Sequence, residues 1–324
     1  MRKIGIVGLG NMGGLHAGLL AEREGVAITG VTDMDAARGK AFAERFGCRF
    51  HSTIDDLLGA GLDMLFITVP NTGHGAIAIK ALEAGLDVFV EKPLATDLDT
   101  AARAREAEKK SGRRVFVGFN RRFAPVYAAA RELIADATFR PANVNIIQND
   151  GDMQNPPWLT DVTMTGGFMY DTTVHFLDMA EFLLGGITEL RALGDNFFYP
   201  IIDSFVLQLK FASGAFGVIT TCGHASWISP FERVQVSGDH KSVITEELDV
   251  LRYSPSLGGI IDGHDYSKLE HNVKWGYRQM HDHIFDCLDT GREPLNGSRE
   301  GFRVVELIEA CYDSARENGS VITF

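Results

Sequence analysis

The sequence predicts an α/β protein. Its first third forms a parallel, doubly wound sheet, and the rest is an α+β region on a large, mainly antiparallel open sheet. Three observations predict this. Near the N-terminus the apolar run 3–7 leads at once into Gly8-Leu9-Gly10-Asn11-Met12-Gly13 and then into helically spaced Leu15, Leu19 and Leu20. As far as Gly118, strand-like runs alternate with helical segments, the pattern of right-handed βαβ units. Over residues 187–253 the period switches to two, with short turns.

Length and charge narrow the possibilities. The 324 residues suffice for two domains, expected at 1–122 and 123–324, with a last helix near 298–317 packing back toward the first. A formal charge of −12 and a pI near 5.3 argue against nucleic acid or an anionic membrane as partner. Cys48, Cys222, Cys287 and Cys311 form no C-x-x-C pair and are expected as reduced, scattered thiols. The N-terminus lacks a signal-peptide pattern, and no apolar run reaches membrane-spanning length, so a cytoplasmic protein is expected.

The opening strand, glycine turn and helix are the context in which G-x-G-x-x-G carries meaning, as the first unit of a Rossmann sheet. Gly8 permits the tight turn, Gly10 a close backbone approach to a pyrophosphate, and Gly13 close packing of helix on strand. Asn11 and Met12 complete the turn at a helix N-terminus that favours phosphate. The second strand, 26–32, ends at Asp33, where such folds place the acid for the adenosine ribose. A carboxylate there repels a 2′-phosphate, which favours NAD, with NADP the weaker alternative because Arg38 stands one turn on. Capping of the next helix is a compatible role for Asp33.

Helices are expected at 36–46, 54–58, 74–84 and 96–110, and strands at 62–69, 87–90 and 115–118. Ligands of such sheets bind at the strands' carboxyl ends. Three polar clusters fall there: Val69-Pro70-Asn71 with His74, Glu91-Lys92-Pro93, and Asn120-Arg121-Arg122. Lys92 fits either a surface salt bridge with Glu91 or a cation that stabilises a developing alkoxide. His74 fits a helix-start hydrogen bond or a ligand contact.

Further on, Gly166-Gly167 feeds a helix that is apolar except for Asp171, His175 and Asp178. Residues four apart on a helix are neighbours, roughly 5–6 Å between Cβ atoms. Asp171 can therefore orient His175 as a general base, although the stripe alone also fits a solvated face. The polar loop 149–158 before this helix ends on Trp158, which could stack on a sugar or anchor a domain interface. In the sheet region Phe205, Leu207, Leu209 and Phe211 alternate with Ser204, Gln208 and Lys210, so one face is apolar. His281-Asp282-His283 lacks further ligands at suitable spacing, and no metal is expected.

Together these residues resemble the Gfo/Idh/MocA oxidoreductases, the family of glucose–fructose oxidoreductase and inositol dehydrogenase. The carriers are the glycine motif, Val69-Pro70-Asn71-x-x-His74, and Gly85-x-Asp87-Val88-Phe89-Val90-Glu91-Lys92-Pro93-Leu94-Ala95. With them stand Gly118-Phe119-Asn120-Arg121-Arg122-Phe123, Gly166-Gly167, Asp171-x-x-x-His175-x-x-Asp178, and a closing helix around 309–316. Many members carry a third glycine and D-x-G-x-H, whereas Thr165 and Asp171-Thr172-Thr173-Val174-His175 stand here; the latter looks more like the inositol dehydrogenase branch.

The resemblance implies a catalytic set of Lys92, Asp171 and His175 and a cis bond before Pro93. Nucleotide contacts are expected from Gly8, Gly10, Asn11, Met12, Gly13, Asp33, Val69, Pro70, Asn71, His74, Glu91, Lys92, Asn120 and Arg121. Substrate contacts are expected from Lys92, Asn155, Trp158, Asp171 and His175. The implied protein is an NAD(P)-dependent dehydrogenase of a polyol or sugar hydroxyl, a homodimer or homotetramer through its C-terminal sheet. The alternatives are a glycosidase that uses NAD transiently and a non-catalytic nucleotide or sugar sensor.

Overall fold

The computed structural model describes residues 1–154, 156–226, 231–259 and 261–324. They form two compact units, Met1–Gly118 with Ile284–Val305, and Phe119–His283 with Glu306–Phe324.

The first unit runs β1 (Arg2–Val7), α1 (Asn11–Ala21), β2 (Val26–Thr32), α2 (Ala36–Phe46), β3 (Arg49–Phe50), α3 (Ile54–Leu58), β4 (Met64–Ile67), α4 (His74–Glu83), β5 (Asp87–Val90), α5 (Leu98–Ser111) and β6 (Val115–Val117). Its six strands are all parallel in the order β3-β2-β1-β4-β5-β6. That is the doubly wound Rossmann order, with its switch point between β1 and β4. The strands β4 to β6 are buried on both faces, which is why they read as continuous apolar runs. Helix starts follow local chemistry: Asp35 accepts the Ala37 and Arg38 amides, Thr53 that of Asp56, and Asp97 that of Thr100. Asn296, before the closing helix, donates its Nδ2 to the Val117 carbonyl at 2.6 Å.

The second unit opens with α6 (Pro125–Ile134) and β7 (Asn143–Asn149), then α7 (Val162–Thr165), a π-helical turn Met169–Thr173 and α8 (Val174–Leu184). The strands β8 (Ile187–Asp195), β9 (Ser204–Phe211), β10 (Phe216–Cys222), β11 (Glu232–Gly238), β12 (Lys241–Glu246), β13 (Val250–Ser254) and β14 (Asp262–Asp265) follow. After them in the chain come α9 (His271–Lys274), α10 (Tyr277–Thr290), α11 (Ser298–Arg316) and β15 (Ile322–Thr323), of which the stretch Ile284–Val305 belongs to the first unit. The nine strands lie in the order β14-β13-β12-β11-β7-β10-β9-β8-β15. All pairs are antiparallel except β7 with β10, because β7 is inserted between strands that follow it in sequence.

One face of this sheet is built from alternate buried residues such as Phe205, Leu207, Ile219, Ile146 and Val234. The segment from Phe168 through α8 lies on that face. Phe168 stacks on Phe205 with centroids 6.4 Å apart, and Thr173 Oγ1 meets Thr221 Oγ1 at 3.1 Å. The π-turn was not legible in the sequence. The Val174 amide donates to Met169 rather than to Tyr170, so one extra residue is accommodated where Asp171 and Thr172 sit. Such turns are frequent at functional sites.

Candidate active site

At the switch point of the first unit the glycine turn is set by close packing. Gly8 has φ +86°, and a Cβ there would lie 2.7 Å from the backbone of Thr68 and Val69. A Cβ on Gly13 would stand 2.2 Å from the Gly8 carbonyl oxygen. Gly10 differs: a Cβ there would meet nothing within 4 Å. The turn is thus tight on the protein side and open where the α1 amides point, with Asn11 exposed beside it. These residues fit a dinucleotide's pyrophosphate. A Gly13→Ala protein is expected to bind NAD at least about tenfold more weakly, since the methyl forces the turn apart. Calorimetric titration measures this, and unchanged affinity would remove the turn from the nucleotide site.

The Asp33 carboxylate is tied to the backbone around the glycine turn. Its Oδ2 accepts the Leu9 amide at 2.7 Å and its Oδ1 the Asp35 amide at 2.8 Å, so the carboxylate braces the glycine turn. The cap of α2 is Asp35 and not Asp33. The Arg38 guanidinium lies 3.7 Å from Asp33 and 3.4 Å from Asp35, between two carboxylates.

The segment around Lys92 is anchored in the interior. Glu91 is buried, and its Oε1 meets Nε2 of the fully buried His16 at 2.8 Å. Oε2 accepts the Lys92 amide at 3.2 Å. Burial works to raise the Glu91 pKa, but the hydrogen bond and charge of His16 and the charge of Lys92 hold it below the ordinary value. Glu91 therefore serves as an anchor under the strand end, not as an exposed partner on the surface. The Lys92–Pro93 bond is cis. Asn71 is buried, and Val69 and Pro70 are half-buried. His74 is buried with both ring nitrogens against main-chain carbonyls, which leaves neither for a ligand. Of its two sequence readings, the helix-start hydrogen bonder is the one observed.

In the second unit His175 and Asp178 are buried on α8, while Asp171 and Thr172 are half-buried in the π-turn. A solvated face is thereby excluded for the stripe. Asp178 is committed to a two-point pair with Arg122, at 2.8 Å to Nε and 2.6 Å between Arg122 Nη2 and Oδ1. Asp171 and His175 are thus the stripe members not consumed by that pair. The start of the helix is fixed from α11: the Met169 amide donates to the Tyr312 hydroxyl at 3.1 Å, and the Tyr170 hydroxyl donates to Glu309 at 2.9 Å. Burial pushes the Tyr312 hydroxyl up to about 12, so it stays a neutral acceptor.

Two expected nucleotide contacts have their side chains engaged within the protein. Arg121 is buried, pairs with Glu232 at 2.8 Å, and lies between the rings of Phe176 and Trp275 at 5.3 and 5.2 Å. Asn120 is buried and donates its Nδ2 to the Trp275 carbonyl at 2.8 Å. Both sit at the end of β6 as expected, but their polar atoms are turned into the fold. Trp158 is exposed on a short turn, Pro157–Thr160, and Asn155 lies outside the described residues. Sequence reasoning missed His16, Tyr312 and Glu232. His16 left one signal, a lone imidazole on the apolar face of α1. Among the described residues no cluster of three or more His, Cys, Asp or Glu side chains is arranged for a metal, and no helix is long and apolar enough to cross a membrane.

Comparison with known proteins places this geometry. Residues 2–119 match an oxidoreductase family's NAD-binding Rossmann fold, and residues 142–323 match the same family's C-terminal alpha/beta domain. The chain is 30% identical to scyllo-inositol 2-dehydrogenase (NAD(+)) of Bacillus subtilis, over 90% of this chain and 87% of that protein. It is 25% identical to inositol 2-dehydrogenase of Rhizobium meliloti, over 98% of both. A solved structure of GenD2 from gentamicin A biosynthesis, in complex with NAD, superposes with a TM-score of 0.88 at 25% identity, over 100% of this chain and 96% of GenD2. Taken with the glycine turn, the braced Asp33 and the anchored Glu91-Lys92-Pro93 segment, these matches show that the chain belongs to the Gfo/Idh/MocA oxidoreductase family.

Proposed function

We propose that the protein is an NAD-dependent dehydrogenase of a secondary hydroxyl on a cyclic polyol or sugar, with inositols the first substrates to test. What carries the reading is that Lys92, Asp171 and His175 are all present in a chain similar to an inositol 2-dehydrogenase over 98% of both lengths. NAD, when bound, accepts the hydride from the substrate carbon. His175 takes the hydroxyl proton as general base. Asp171 orients His175 or a neighbouring substrate hydroxyl, and Lys92 stabilises the negative charge that develops on the reacting oxygen. Gly8, Gly10 and Gly13 with the first amides of α1 hold the pyrophosphate, and Asp33 receives the adenosine ribose. The Asp33 carboxylate disfavours a 2′-phosphate, and Arg38, held by Asp33 and Asp35, is engaged before such a phosphate arrives. Trp158 supplies an aromatic face for the substrate ring.

The assembly belongs to the same proposal. Leu193, Val206 and Phe216 are exposed on the sheet face opposite the catalytic helix, and a second copy of the chain would cover them in a homodimer or homotetramer. Four unbridged cysteines accord with a cytoplasmic setting.

The reaction is tested by following NADH absorbance while NAD or NADP is offered with a panel of inositols and aldoses. Reduction of NAD with one class is the expected outcome. Tight NAD binding with no reduction across the panel would move the reading to a glycosidase that uses NAD transiently or to a sensor.

A further inference from the structure

The segment that carries Lys92 is held by two buried imidazoles, and the second is chemically unusual. His16 engages the Glu91 carboxylate at 2.8 Å from α1. His74, at the start of α4, has Nδ1 2.7 Å from the Pro93 carbonyl oxygen and Nε2 2.8 Å from that of Val69. Its relative exposure is 1%. A carbonyl oxygen only accepts, and a neutral imidazole has one N–H and one lone pair. A neutral ring here would set a nitrogen lone pair against a carbonyl oxygen at hydrogen-bond distance. The doubly protonated ring donates to both. Val69 follows β4, and Pro93 follows Lys92 beyond the adjacent β5, so one ring ties two neighbouring strand ends together at the lysine.

We propose that His74 is a positioning residue for Lys92, gripping the Val69 and Pro93 carbonyls with both ring N–H groups and so fixing the peptide from which the lysine side chain projects. The inference rests on the reading of Lys92 as a catalytic group. The charged groups acting on the ring are Glu91 and Lys92. Segment 69–73 contributes no titratable group, and His16 bears on Glu91. The neighbouring α5 begins near Asp97, which caps Thr100, and Asp99, which faces Arg103 at 3.8 Å. Burial lowers the His74 pKa below its ordinary value, while the two carbonyls and Glu91 oppose that shift. The two-point grip therefore belongs to the acid side. As pH rises through the lowered pKa one N–H is lost, and the ring keeps a single carbonyl.

The test compares wild type with His74→Gln, whose one amide nitrogen mimics the single-donor ring and does not titrate. The expected ratio of wild-type to variant kcat is about tenfold at the acid end of the stable range, shrinking as pH rises, with KM for NAD unchanged. Taking the ratio cancels the pH effects that both proteins share. A ratio that is constant with pH, or a change confined to KM for NAD, would overturn the proposal. A second readout needs no substrate: nitrogen–proton correlation spectra of 15N-labelled wild type, with His74 assigned by its absence in the variant. Two ring N–H signals on the acid side, reduced to one on raising pH, are expected. One N–H throughout would overturn the proposal. If no polyol is oxidised, the failure lies with the proposed reaction, and the ring spectrum still decides the role of His74.

Discussion

Replacing Lys92 with alanine is expected to lower kcat for NAD-dependent polyol oxidation by about 10²- to 10³-fold, the range for removing one charge-stabilising donor from a reacting oxygen. KM for NAD should change little. The local fold gives a physical reason to expect this separation. The anchors of the segment are the Glu91 carboxylate on His16 and on the Lys92 backbone amide, and the Pro93 carbonyl on His74. These three hydrogen bonds are made by the Glu91 and histidine side chains and by backbone atoms, so truncation at Lys92 removes none of them. Steady-state kinetics with the best substrate of the panel, beside calorimetric NAD titration, makes the measurement. A kcat within threefold of wild type would remove Lys92 from the chemistry. A large rise in KM for NAD with unchanged kcat would make it a nucleotide contact only.

The second large effect is on stability. Glu232 is fully buried and accepts from Arg121 Nε at 2.9 Å and from the Tyr127 hydroxyl at 2.8 Å. Glu232→Ala leaves the Arg121 guanidinium buried beside Phe176 and Trp275 without its carboxylate. Breaking a buried pair from one side costs about 3–5 kcal/mol. Equilibrium urea unfolding should show a loss of that size, provided the transition stays cooperative. Replacing both partners with apolar residues of similar volume, Arg121→Met with Glu232→Leu, should recover much of it, because no uncompensated charge remains. The folded fraction of the single variant should bind NAD normally. A stability change below about 1 kcal/mol would mean that the pair is hydrated and worth no more than a surface ion pair. Normal stability with lost NAD binding would restore Arg121 to the nucleotide site.

Arg121 shows where sequence reasoning stopped. An Asn-Arg-Arg cluster after a buried strand reads as three side chains available to a ligand, because position at a strand's carboxyl end is all that local pattern reports. In the fold, Arg121 is taken by Glu232, 111 positions away, Arg122 by Asp178, and Asn120 by the Trp275 carbonyl. Asp178 drops out of the polar stripe for the same reason. His74 presented two equal readings until the Val69 and Pro93 carbonyls were seen on either side of its ring. In each instance the undecided quantity was a partner distant in the chain.

Other features were written locally. Gly8, Gly10 and Gly13 are specified by the space and dihedrals of a strand–turn–helix unit, and each proves to be tight or open as that geometry demands. The alternation of buried runs and amphipathic helices sets the parallel sheet, because a helical period and a doubly buried strand leave different apolar spacings. Period-two alternation in 204–211 likewise predicts one buried face of the second sheet, and Phe205, Leu207, Leu209 and Phe211 are buried. Only tertiary structure decided the parallel pairing of β7 with β10, the π-turn beneath Asp171, and the partners that consume four of the polar side chains once grouped with the site. The physical reason is one of range. Backbone period and glycine conformation act between near neighbours, whereas register, ion pairing and hydrogen-bond satisfaction are settled by whichever distant group arrives in the same buried space.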